Sequence, residues 1–92
     1  MSTLEPDTVR ARLSELDGWR FEDGAIRRRF TFDGFREAVS FINRVADLAD
    51  AANHHPELTN VYATVDVVLT THDAGGVTEK DLSLAAEIDQ VA

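Results

Sequence analysis

Three histidines carry the most versatile chemistry in this chain: His54 and His55 stand side by side ahead of Pro56, and His72 follows further along. Imidazole, with an ordinary pKa of about 6.5, gives and takes protons near neutrality and also ligates metals. The rest of the sequence narrows the choice. There is no cysteine and no Gly-x-Ser-x-Gly turn to present a nucleophile. The histidine spacing matches neither a His-Glu-x-x-His zinc helix nor a cysteine-containing zinc site. Gly75-Gly76 is too short for a phosphate-binding loop and reads as a turn. Proton transfer is what is left. Taken singly, each histidine is better read as structural or merely exposed, since two imidazoles before a proline can simply finish a helix, and a zinc site is the next alternative.

Side chains of this kind need a scaffold, and 92 residues suffice for one domain spanning 1–92 with a modest core. Apolar residues at 43% and charged ones at 28% are ordinary for a globular chain. Without cysteine, no disulfide braces so small a core, and symmetric self-association as a homodimer or homotetramer is expected to help. A net charge of -8 disfavours direct binding to phosphate backbones. Arg27-Arg28-Arg29 is the one basic cluster, and a strand would send alternate members to opposite faces. The first residues hold two acids and no apolar run, so neither a leader nor a membrane anchor is expected there, and a cytoplasmic location follows by default.

Helical spacing of Val9, Leu13 and Leu16 predicts a helix over 6–16, with Pro6 in its first turn and Gly18 as its stop. Strands over 19–22 and 26–32 flank Asp23-Gly24, a hairpin-turn dipeptide. Asp33 is expected to cap a long helix whose apolar face runs from Phe35 through Ala38, Ile42 and Val45 to Ala49. Asn53 suits its C-terminal cap, and Pro56 biases His55 away from helical angles, so the helix must end just before the histidines. Odd positions from Val61 to Leu69 are apolar and predict a half-buried sheet. One straight strand over 58–71 would run to roughly 45 Å at about 3.3 Å per residue, so a break over 60–63 is predicted. A loop over 73–77 leads to a last helix with Thr78 and Asp81 as a capping box and Leu84, Ala85, Ile88 and Val91 as its core face. The fold class is α+β: helix-strand-strand-helix-strand-strand-helix, a four-stranded antiparallel sheet with helices packed on one face.

A pattern spanning these elements resembles the pterin-4a-carbinolamine dehydratase family. Asp50 precedes His54-His55-Pro56 by three residues, five more lead to Tyr62, nine to His72 and eight to Asp81. Asn60-Val61-Tyr62, Thr71-His72-Asp73, Gly76-Val77-Thr78 and Gly18-Trp19 extend the likeness over nearly the whole chain.

The resemblance implies dehydration of the 4a-hydroxytetrahydropterin left by aromatic amino acid hydroxylases, in tetrahydrobiopterin recycling, giving quinonoid dihydropterin and water without metal or organic cofactor. It implies His54, His55 and His72 as catalytic residues, with His54 and His72 as acid–base groups and His55 mainly holding the pterin. It also implies substrate binding by Asp50, His55, Pro56, Thr71 and Asp73. Tyr62 is read as supporting the histidines from a strand, and Asp81 as a cap that positions the His72 loop. A protein-binding reading on the same fold, as a dimerisation cofactor or an assembly factor, is the alternative, although it gives no reason for three histidines.

Overall fold

Seven elements follow one another along residues 2–92, which the computed structural model describes: α1 (Pro6–Leu13), β1 (Arg20–Glu22), β2 (Ala25–Thr31), α2 (Phe35–Ala52), β3 (Glu57–Val61), β4 (Thr64–Leu69) and α3 (Glu79–Val91). The four strands form one antiparallel sheet in the order β1-β2-β4-β3. The expected architecture is the one observed. Along β4, Val65, Val67 and Leu69 are buried and alternate with half-buried Thr64, Asp66 and Val68. With Ile26 and Phe30 of β2 they pack under Ala38, Phe41 and Val45 of α2 and Leu84, Ala85 and Ile88 of α3. Burying the larger of these, the valines, leucines, isoleucines and phenylalanines, contributes roughly 1.5–3 kcal/mol each, which is what holds the helices to the sheet.

Local chemistry explains most boundaries. Asp23 and Gly24 both take positive φ, 52° and 74°, as a two-residue hairpin requires. The first helix stops at Leu13 rather than at residue 16, because Ser14, Glu15 and Leu16 donate to carbonyls only three residues back and tighten the chain into turns. Asp33 does not cap α2. The N-cap is Gly34, fully extended and without a side-chain cap bond, and Glu37 in the first turn supplies the negative charge favoured there.

The break between β3 and β4 falls within the predicted stretch, and its geometry corrects two readings. Tyr62 lies outside both strands, in the two-residue turn with Ala63, at φ 50° and 68% exposed. That turn shifts the phase of the alternation, so Leu58 and Asn60 are half-buried while Val61, expected on the apolar face, is exposed. The sheet's open face carries Arg27 and Arg29, with Arg29 bound to both oxygens of Asp66 at 2.7 and 3.2 Å. That hydrogen bonding holds the Asp66 carboxyl below the usual carboxylate range. A folded-state value below the unfolded one makes this pair stabilising above the ordinary carboxylate range, and the contribution fades as pH falls through the depressed value. The pair is exposed, so the effect is small. Arg28 faces the helices, stacks over Phe30 and bonds Asp89, which also receives the Trp19 indole N–H. No helix among the described residues is long and apolar enough to cross a membrane.

Candidate active site

The register of the sheet decides which sequence motifs meet. Glu57 at the start of β3 stands opposite Val68 near the end of β4, so His54-His55-Pro56 and Thr71-His72-Asp73 emerge at the same end of the sheet. Tyr62 caps the opposite end, roughly 17 Å away at about 3.3 Å per residue of β3, and within one chain it cannot support the histidines.

Helix α2 delivers its histidines through Asn53, whose left-handed backbone at φ 50° and ψ 42° ends the helix. The N–H groups of Asn53 and His54 satisfy the carbonyls of Asp50 and Ala49. This turn sends the two imidazoles in different directions. His55 is exposed, and its Nε2 lies 2.9 Å from Asp50 Oδ1 of the preceding helical turn. His54 instead turns inward, with a side chain 10% exposed, and its Nε2 lies 2.5 Å from Asp81 Oδ1.

Asp81 is fully buried, an unusual place for a carboxylate, and its hydrogen bonds explain how it is tolerated. Oδ2 accepts the Thr78 N–H at 2.9 Å, closing the capping box of α3, and the Thr71 hydroxyl at 2.9 Å. Oδ1 faces His54. An ionised carboxylate is acceptor-only, and facing one His54 would carry its proton on Nε2. No other partner meets the ring among the described residues, and none of their buried side-chain polar atoms lacks a hydrogen bond, so Nδ1 is the nitrogen that reaches solvent. A histidine oriented at one nitrogen by a buried carboxylate, with the other nitrogen bare, is equipped to accept a proton and to stabilise the resulting cation.

The sequence placed Asp81 as a cap that positions the His72 loop. The capping box is present, and through Thr71 the carboxylate does brace the residue beside His72, but its direct imidazole partner is His54. Thr71, read as a substrate ligand, has its hydroxyl buried between Asp81 and Thr78 instead. His72 and Asp73 are exposed on a loop closed by the Thr71–Gly76 bridge. Gly75, at φ 83°, lets that loop turn back on itself. The N-terminal segment clasps it from outside, with the Leu4 N–H on the Val77 carbonyl and Thr3 so close to Gly76 that a side chain there would press on its methyl. Among the described residues, no three His, Cys, Asp or Glu side chains gather as a metal-holding group.

Comparison with known proteins finds relatives over most or all of the chain. A relative from Thermomicrobium roseum, named "Putative pterin-4-alpha-carbinolamine dehydratase", is 45% identical over 92 residues, covering 100% of this chain and 99% of its own. One of the same name from Rhodopseudomonas palustris is 55% identical over 82 residues, covering 87% and 81%. Among solved structures, a transcriptional coactivator/pterin dehydratase from Brucella melitensis superposes with a TM-score of 0.95 at 39% identity over 99% of both chains. A pterin dehydratase-like protein described as a RuBisCO assembly factor of the alpha-carboxysome shares the fold, with a TM-score of 0.67 at 20% identity over 80% and 86% of the chains. The family described as pterin 4 alpha carbinolamine dehydratase matches residues 2–91, and the chain belongs to that family.

Proposed function

We propose that the chain dehydrates a 4a-hydroxytetrahydropterin, the step that recycles tetrahydrobiopterin, by histidine acid–base catalysis. The observation that carries this reading is His54, anchored at Nε2 by buried Asp81 with Nδ1 bare, at the end of the sheet where His72 emerges. In the reaction the C4a–O bond breaks and C4a=N5 forms. His54 Nδ1 takes the proton from N5, whose electron pair becomes the new π bond. His72, protonated, delivers its proton to the departing hydroxyl, which leaves as water. Hydroxide is a poor leaving group, so the acid matters as much as the base. His55 and Asp50, exposed and paired beside this corner, offer donors and acceptors to the pterin ring. Pro56 and Asp73, next in sequence to His55 and His72, are assigned to the same substrate.

The test is stopped-flow absorbance of the 4a-hydroxytetrahydropterin, generated in place, with protein pretreated with chelator. Acceleration over buffer that survives chelation is expected. A decay rate equal to that of buffer would sink the dehydratase reading.

Self-association as a homodimer or homotetramer belongs to the same proposal. Phe35 and Val39 on one face of α2, with Val61 and Tyr62 at the β3–β4 turn, are the large apolar side chains left exposed among the described residues, and β3 is an edge strand. Sedimentation velocity is expected to give a multiple of 10.2 kDa, and a monomer at micromolar concentration would count against it.

A further inference from the structure

Thr71 is buried two residues beyond the end of β4, and the scheme above gives it no part. Its hydroxyl lies 2.9 Å from Asp81 Oδ2 and 2.8 Å from Thr78 Oγ1. The Thr78 hydroxyl oxygen in turn accepts the Lys80 N–H at 3.3 Å, while the Thr78 N–H reaches Asp81 Oδ2 at 2.9 Å. A hydroxyl has a single proton to donate. Because the Thr71 proton goes to Asp81, the proton between the two threonines must come from Thr78. Every donor in the network then points the same way, toward the carboxylate.

The direction of that chain bears on His54. Two charge states would satisfy the short contact between Asp81 and the imidazole. In one, the carboxylate is ionised and His54 donates from Nε2. In the other, Asp81 is protonated on Oδ1 and donates, and His54 carries its proton on Nδ1, where it could not serve as a base. Two donors on Oδ2 favour the ionised form, since hydrogen bonds to the charged state of a carboxylate stabilise it.

We propose that Thr71 is a positioning residue: by donating to Asp81 Oδ2 it selects the Nε2–H tautomer of His54 and leaves Nδ1 bare for the reaction. This rests on the reading of His54 as the base. The Thr78 N–H alone leaves Oδ2 with one donor, and the form that takes up one further proton from solvent, with Asp81 protonated on Oδ1 and His54 on Nδ1, then comes closer in energy at a given pH.

The measurement is 15N NMR of the imidazoles, with His54 assigned by comparison with His54→Gln, in wild type, Thr71→Val and Thr71→Ser. Valine keeps the shape and removes the hydroxyl, serine keeps the hydroxyl, and Thr71→Ala stands in if the valine variant fails to fold. Wild type is expected to show the Nε2–H tautomer. Thr71→Val is expected to populate the Nδ1–H form and to lose on the order of 10-fold in kcat with KM little changed, less than the roughly 10² to 10⁴ of a group that transfers the proton itself. Serine is expected to restore both. A valine variant with the wild-type tautomer overturns the positioning role, and so does a serine variant that behaves like valine. The tautomer is read without substrate, so a wild type that fails to dehydrate the pterin refutes the functional reading while the spectra still decide the role of Thr71.

Discussion

His54→Ala is expected to lower kcat for pterin dehydration by roughly 10²- to 10⁴-fold, the range that a positioned general base contributes. The substitution removes the Nδ1 that faces solvent and leaves Asp81 Oδ1 facing a void. Substrate binding, assigned to His55 and Asp50 on the exposed side, should change little, so the loss falls on kcat rather than KM. Added imidazole gives a sharper reading. If the missing group is a base, imidazole should restore part of the rate in proportion to its concentration and leave wild type unaffected. Full activity in His54→Ala would remove His54 from the chemistry and leave the exposed histidines to account for the reaction.

The second large effect is at Asp81, where two substitutions separate stability from catalysis. Asp81→Ala leaves the Thr78 N–H, the Thr71 hydroxyl and His54 Nε2 without their acceptor in a fully buried place. A lost cap costs about 1 kcal/mol and an unsatisfied buried polar group roughly 1–3 kcal/mol, so a loss of about 3 kcal/mol is expected, even after relaxation. For a domain of this size that lowers Tm by roughly 12–24 °C. Asp81→Asn should behave differently. Its amide oxygen can accept from Thr78 and Thr71, so most of the stability is kept, but its amide group presents N–H to His54 Nε2 and drives the imidazole proton to Nδ1. Activity is then expected to fall at least about 100-fold at nearly unchanged Tm. Calorimetry with stopped-flow kinetics checks both, and an active Asp81→Asn would show that the tautomer does not matter.

The features legible in the sequence are the ones encoded within a few residues. Asp23-Gly24 announces its hairpin, Asn53 and Pro56 fix where α2 must end, and Thr78-x-x-Asp81 is a capping box on sight. The contact that organises the site is of another kind. His54 and Asp81 are 27 positions apart and meet only because α2 and α3 pack on the same sheet. The capping box hides it, since that motif occupies one oxygen of Asp81 and says nothing of the other. Thr71 was more accessible than it looked. The buried odd-numbered positions of β4, Val65, Val67 and Leu69, continue in phase to Thr71, and a hydroxyl on an apolar face calls for a polar partner there. Tyr62 was misplaced because nothing about tyrosine advertises a left-handed backbone, and its neighbours read as strand.

One carboxylate both closes the first turn of α3 and grips His54. Ends of helices open far more often than whole domains do, so the imidazole proposed as the base is tethered to one of the cheaper motions available to the chain. Each time that turn lets go, the base loses its orientation while the rest of the fold stands. Turnover in such a molecule works as a thermometer for a single helical turn, and it should fail on heating before the core does.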